Sequence, residues 1–217
     1  MGLREKKAQQ SRARIVTDAM ALFSRKGYEE TTMEAIAEAA FLSPSTLYRY
    51  FPTKDSIVFA SFTANTAKFS EVFQLCVKEM SVERALADAI FAVLAVEDEN
   101  PKHAALVRSI LGQSPAARAR LWDYLGEQRQ QLTQDLAISL GRPADDPALM
   151  LTARVALEVL MMTADIWRAS KGRVSSRDTA EGVMRSLREG GVLYPDPGEI
   201  QKPAPAVKVA SKRSTRS

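Results

Sequence analysis

An all-helical protein of about nine helices is what this 217-residue chain predicts, on three observations. Apolar residues recur at helical spacing in nearly every segment, and no stretch shows the strict alternation of a half-buried strand. Pro and Gly fall where a helix of ordinary length would start or stop.

The elements follow in order. Residues 12–26 put Ile15, Val16, Ala19, Met20, Leu22 and Phe23 on one stripe, and Gly27 behind Lys26 supplies a left-handed stop. Short helices are expected at 32–40 and 44–51. A longer one, 54–79, carries Ile57, Val58, Phe62, Phe69, Val72, Phe73 and Leu75 at roughly helical spacing. Residues 81–96 end at the acidic "EDEN"; Pro101 opens 101–111, "GQSP" closes it, and Pro115 opens 115–140. After the loop "GRPADDP", 147–170 runs to Gly172, and 176–189 ends at a Gly pair. From Tyr194 onward Pro, Lys and Ser occur without an apolar period, which predicts disorder.

Composition narrows the class. Hydrophobic content of 46% with 26% charged residues is the balance of a soluble globular protein. The longest apolar run, "AIFAVLAV" at 89–96, is far short of a bilayer span, so no membrane association is expected. A single cysteine, Cys76, excludes an internal disulfide and suits a reducing cytoplasm. Charge is unevenly spread: Arg4, Lys6, Lys7, Arg12 and Arg14 stand against Glu5, and Lys202, Lys208, Lys212, Arg213 and Arg216 stand against no acid. The ends therefore hold +4 and +5 of a net +4, leaving 15–200 at −5. Basic arms on an acidic body commonly touch nucleic acid or anionic surfaces.

The segment "TTMEAIAEAAFLSPSTLYRYFPTKDS", 31–56, concentrates the chemistry. Thr31 followed by Glu34 fits a capping box, and Ile36, Ala37 and Ala40 face inward. "FLS" is a three-residue turn. Ser43 is an N-cap, Pro44 takes the first helical position, and Leu47 with Phe51 forms an i, i+4 apolar pair. Two short helices crossed over such a turn describe a helix-turn-helix. With Leu47 and Phe51 inward, Ser45, Thr46, Tyr48 and Arg49 are left outward, at the end of a helix that would enter a major groove. Hydroxyls and Arg suit bases and phosphates. Thr53 caps the next helix, where Lys54 makes a phosphate site, and Thr31 with Thr32 offers a similar one. The plainer alternatives are a structural subdomain and a protein-binding face.

"GYEETTMEAIAEAAFLSPSTLYRYFPTKDSIV", 27–58, resembles the DNA-binding head of TetR-family transcriptional regulators through Gly27, the Thr31–Thr32 pair, "IAEAA", "SPSTLYRYF" and the lysine of "PTKDSI". The resemblance covers about 12–60; the remainder agrees in helix count and length. One departure is Phe41-Leu42 in the turn, where the family usually has Gly-Val. The resemblance implies DNA contacts at Thr32, Ser45, Thr46, Tyr48, Arg49, Tyr50 and Lys54. It also implies a homodimer on a near-palindromic operator, and a body that binds a small molecule and dimerises through its last two long helices. The expected division is a basic flexible arm at 1–11, the helix-turn-helix domain at 12–56, a ligand-binding and dimerisation domain at 57–194, and a disordered basic tail at 195–217.

In the body, 147–170 and 176–189 are rich in apolar positions, and 155–162 are apolar nearly all round, as for a helix buried on two sides. Intramolecular packing is the rival to a dimer interface there. Phe62, Phe69, Phe91, Trp122, Met161 and Trp167 are candidates to line an apolar cavity, with Asp165, Glu158 and Arg108 as polar groups to orient a ligand. Ordinary core and surface ion pairs are the plainer readings of each. One His and one Cys exclude a usual transition-metal cluster within a subunit, and no hydrolase, phosphate-loop or dinucleotide motif occurs, so neither catalysis nor a cofactor is expected. The sequence thus predicts a ligand-released repressor, against a ligand-independent DNA binder of the same fold and a helical enzyme or carrier without DNA binding.

Overall fold

Capping residues and prolines cut the chain into its helices. The computed structural model describes residues 2–170 and 173–192. Among these are nine helices and no strand: α1 Leu3–Lys26, α2 Met33–Ala39, α3 Pro44–Tyr50, α4 Lys54–Cys76, α5 Val82–Glu99, α6 Pro101–Gln113, α7 Pro115–Leu140, α8 Pro147–Ala169 and α9 Ser176–Arg188. Thr32, Ser43, Thr53, Ser81, Asn100, Ser114, Asp146 and Ser175 each cap one helix with a side-chain oxygen. Each satisfies an N–H that would otherwise lack a partner.

Three boundaries differ from expectation by more than two residues, and α4 is one of them, stopping at Cys76 rather than 79. Helix α1 begins at Leu3 rather than near 12, so the segment expected as a flexible arm is helical over 3–11. Its residues, "LREKKAQQS", are mostly strong helix formers with no Gly or Pro, and the Glu5 carboxylate accepts from Gly2 N at 2.7 Å. Helix α5 runs on through the acids to Glu99, because the break is made by the Asn100 cap and Pro101. The expected disorder from 195 onward lies outside the described residues.

Two buried clusters organise the fold. The first joins α1, α2 and α3 through Ile15, Phe23, Ile36, Leu47 and Phe51, and continues into Ile57, Val58 and Phe62 of α4 and Val107, Ile110 and Leu111 of α6. The second, built on Phe69 and Phe73 of α4, gathers α5, α7, α8 and α9. Helix α4 therefore belongs to both: its first half completes the small N-terminal head and its second half enters the larger body. Helix α8 buries Leu149, Ala153, Leu157, Leu160 and Ala164, yet turns Leu151, Met162 and Ile166 to solvent at 58%, 40% and 47% exposure.

Candidate nucleic-acid interface and ligand cleft

The exposed face of α3 follows from its own capping and packing. The Ser43 hydroxyl accepts from Thr46 N at 3.3 Å and lies 3.1 and 2.9 Å from the hydroxyls of Ser45 and Thr46. Leu47 and Phe51 are 0% and 1% exposed. Burying that i, i+4 pair sends Ser45, Tyr48 and Arg49 outward, while Thr46 and Tyr50 stay half-buried at the margins. The Tyr48 hydroxyl donates to Glu34 of α2 at 3.3 Å, and the Arg49 guanidinium sits 5.9 Å from the Tyr50 ring.

The flanking helix starts complete the surface, with two corrections. Exposed Thr32, not Thr31, caps α2, accepting from Ala35 N at 3.1 Å. Thr31 is 1% exposed and its hydroxyl donates to the Gly27 carbonyl at 2.7 Å, so it offers nothing to an external partner. The Lys54 ammonium, expected at a phosphate site, donates to the Tyr28 and Glu29 carbonyls at 2.7 and 3.2 Å and lies 4.5 Å from the Tyr28 ring. Two of its three N–H bonds thus close the α1–α2 loop onto α4, leaving one for an anion. Beside it the Tyr28 phenol donates to Asp55 at 2.8 Å, and burial together with that bond pushes its pKa up.

The turn keeps its geometry without glycine. Phe41 has φ 55°, the left-handed region, and is the one non-glycine residue there among those described. Its N–H reaches the Glu38 carbonyl at 3.0 Å and that of Leu42 reaches Ala37 at 2.9 Å, the Schellman pattern that Gly ordinarily serves. The ring is 84% exposed, with the Arg14 guanidinium 5.6 Å away; Arg12 lies 4.5 Å from the Phe51 ring. Two α1 arginines thus reach the turn and the end of α3.

In the body, the expected cavity residues divide. Trp122, Met161 and Asp165 line a cleft of about 660 Å³ between α6, α7 and α8. Phe62 and Trp167 are core residues at 4% and 6% exposure, while Phe69, 3% exposed, lines a small enclosed pocket with Tyr124 and with Leu125, Leu157 and Met161 of the cleft. The helical spacing that suggested a lining serves ordinary packing in Phe62 and Trp167. Phe91 lies elsewhere, in a groove between α5 and α9 with the Arg177 guanidinium 4.0 Å from its ring. Sequence reasoning missed Arg118, Arg129 and Arg154, which share the cleft with Arg108. On a one-dimensional reading they pass for solvated helix charges.

At the cleft, the Asp165 carboxylate pairs with Arg168 and lies 4.0 Å from Arg108. Glu97, 7% exposed, completes this cluster; burial raises its pKa while Arg108 and Arg168 pull it back. A second cavity of about 710 Å³ lies where the head meets the body, lined from α1, α4, α5 and α6. There Ser61 and His103 approach at 2.8 Å, and burial lowers the imidazole pKa. Among the described residues no cluster of three His, Cys, Asp or Glu is placed to hold a metal, and no helix is long and apolar enough to cross a membrane.

Comparison with known proteins agrees with this geometry. The family described as "Bacterial regulatory proteins, tetR family" matches residues 15–60. The HTH-type transcriptional regulator TcmR of Streptomyces glaucescens is 28% identical over 152 residues, 67% of each chain. The HTH-type transcriptional repressor KstR of Rhodococcus jostii is 50% identical over 48 residues, 22% of this chain and 23% of that one. Among solved structures, a putative TetR-family regulator of Syntrophomonas wolfei superposes with a TM-score of 0.66 at 18% identity, covering 86% of this chain and 99% of that one. Thermus thermophilus FadR, a TetR-family repressor in complex with lauroyl-CoA, does so at 0.60 and 21% identity, covering 88% and 100%. At these identities the structures show a common fold.

Proposed function

We propose that this chain, a TetR-family DNA-binding transcriptional regulator, is a repressor that leaves a near-palindromic operator when a small molecule enters its body. The observation that carries the reading is the orientation of α3: Leu47 and Phe51 buried, with Ser45, Tyr48 and Arg49 on the open face. Those residues, Thr46 and Tyr50 at their margin, Thr32 and Lys54 at two helix starts, are the proposed DNA contacts. The free N–H groups at the starts of α2 and α4 suit phosphates.

A homodimer presents two such helices. The exposed Leu151, Met162 and Ile166 of α8 are the proposed partner surface, with α9 beside it. Half-sites one duplex turn apart require roughly 34–36 Å between the recognition helices, so a ligand that favours another spacing shifts the population off DNA. Helix α4 is the proposed lever. Lys54 ties its start to the head, and Ser61 meets His103 of α6, the helix whose Arg108 lines the cleft. The repressor name of KstR and the lauroyl-CoA complex of FadR support repression and small-molecule control in this chain.

Selection of genomic fragments by the purified protein tests the reading. It should recover one short near-palindrome, and recovery of fragments without a shared motif overturns it.

A further inference from the structure

The cleft between α6, α7 and α8 has the volume of a small-molecule site and walls that are mostly apolar, including Leu111, Leu121, Leu125, Leu157 and Met161, with Trp122 at 68% exposure. Its charges are lopsided: Arg108, Arg118, Arg129 and Arg154 face Glu158 and Asp165. Arg118, Arg129 and Arg154 each donate to a backbone carbonyl, of Gly112, Leu125 and Met150, and form no ion pair among the described residues.

Arg108 is the innermost. Its side chain is 16% exposed, its Nε has no partner, and one Nη reaches only the Met161 sulfur at 3.5 Å. Its carboxylate neighbour, Asp165 at 4.0 Å, is already engaged by Arg168, which itself keeps a buried Nη1 without a partner. Two guanidinium groups that cannot deprotonate thus share, within 4.0 Å, one carboxylate that is 67% exposed. Glu97 acts on both guanidinium groups from the side of the junction cavity, but it forms an ion pair within 4.0 Å with neither and its buried Oε2 has no hydrogen-bond partner. A sheltered, poorly paired cation is unfavourable, and an anion delivered with apolar surface relieves it.

We propose that this cleft takes an apolar molecule bearing one anionic group, a carboxylate, sulfonate or phosphate, with Arg108 gripping the anion and Trp122 covering the apolar body. This deepens the ligand-released reading and rests on it for its biological role, not for the binding itself. Arg108 is the discriminating residue, since its fork can hold two anion oxygens where a neutral isostere offers nothing comparable.

A matched pair of fluorescent probes tests it on the full chain. 1-Anilinonaphthalene-8-sulfonate and N-phenyl-1-naphthylamine share an apolar body and differ in the sulfonate. The sulfonate should bind more tightly, and Arg108→Met should weaken it about tenfold or more, the size of one charged hydrogen bond, with the neutral probe within about twofold. Arg108→Lys, which keeps the charge but not the fork, should give an intermediate loss and guards against a folding defect in Arg108→Met. Equal affinity of the two probes, equal loss of both, no loss of either, or no binding of either overturns the proposal. Release of a selected operator fragment is read separately. Arg108-dependent binding that leaves DNA bound keeps this inference and sinks the release reading, whereas release by neutral molecules alone does the reverse.

Discussion

At Tyr48 and Arg49 the division of labour in the head is plainest, because they alternate with Leu47, which has no exposure at all. Tyr48→Ala removes a ring outside the core and one long hydrogen bond to Glu34, so folding should be unaffected. Operator affinity should fall by about 1–3 kcal/mol, the usual size of a base contact, in a fluorescence anisotropy titration. Leu47→Ala is the contrasting case: a cavity in the head should lower unfolding stability by about 2–5 kcal/mol. Phe41 tests the turn. Holding a phenylalanine at φ 55° is unfavourable, and its exposed ring loses little when removed beyond its approach to Arg14. Phe41→Gly should therefore stabilise the protein by up to about 1 kcal/mol in denaturant unfolding. A clear destabilisation would mean the ring is held by more than Arg14. Lys54 is subtler. Its ties to Tyr28 and Glu29 mean that Lys54→Ala should lower both DNA affinity and the stability of the head.

At the scale of an element, α1 and α4 carry the informative tests. Residues 3–11 belong to α1, so deleting residues 1–11 shortens a charged helix. The slope of log affinity against log salt should drop by about one unit for each phosphate that the shortened helix no longer neutralises. An unchanged slope would remove the N-terminus from the DNA surface. Helix α4 joins the two cores, and its Ser61–His103 hydrogen bond to α6 brings a titratable group to the junction. Burial holds the His103 pKa below its ordinary value, so the fold favours the neutral ring. The associated stability is complete above the unfolded value of about 6.5 and is lost as pH falls below that, toward and through the folded pKa. His103→Gln should flatten unfolding stability over that acidic window when melting is followed by circular dichroism.

For the whole molecule the decisive question is what covers the outward side of α8. Leu151, Met162 and Ile166 lie along one face of the helix, and exposed apolar surface of this kind marks an interaction site. Ile166→Asp together with Leu151→Lys should shift the protein to monomer in light scattering. Operator affinity should collapse with it, because two linked half-sites bind far more tightly than one. A dimer that survives both changes would move the partner surface off α8.

Helix existence and the α3 face were legible in the chain because both are local. Period, caps at Ser43 and Thr53, and prolines at 44, 101, 115 and 147 act within a turn or two. Burying Leu47 and Phe51 then dictates where Tyr48 and Arg49 point. Tertiary structure alone decided that Thr31 is sealed under the Gly27 carbonyl, that the Lys54 ammonium is tied to Tyr28, and that Phe62 and Trp167 are packed as core residues. It also brought Arg108, Arg118, Arg129 and Arg154 from three helices around one cleft. The reason is range: a helix forms from neighbours a few residues apart, while a cavity and its charges arise from packing between residues dozens of positions apart, which no local period records.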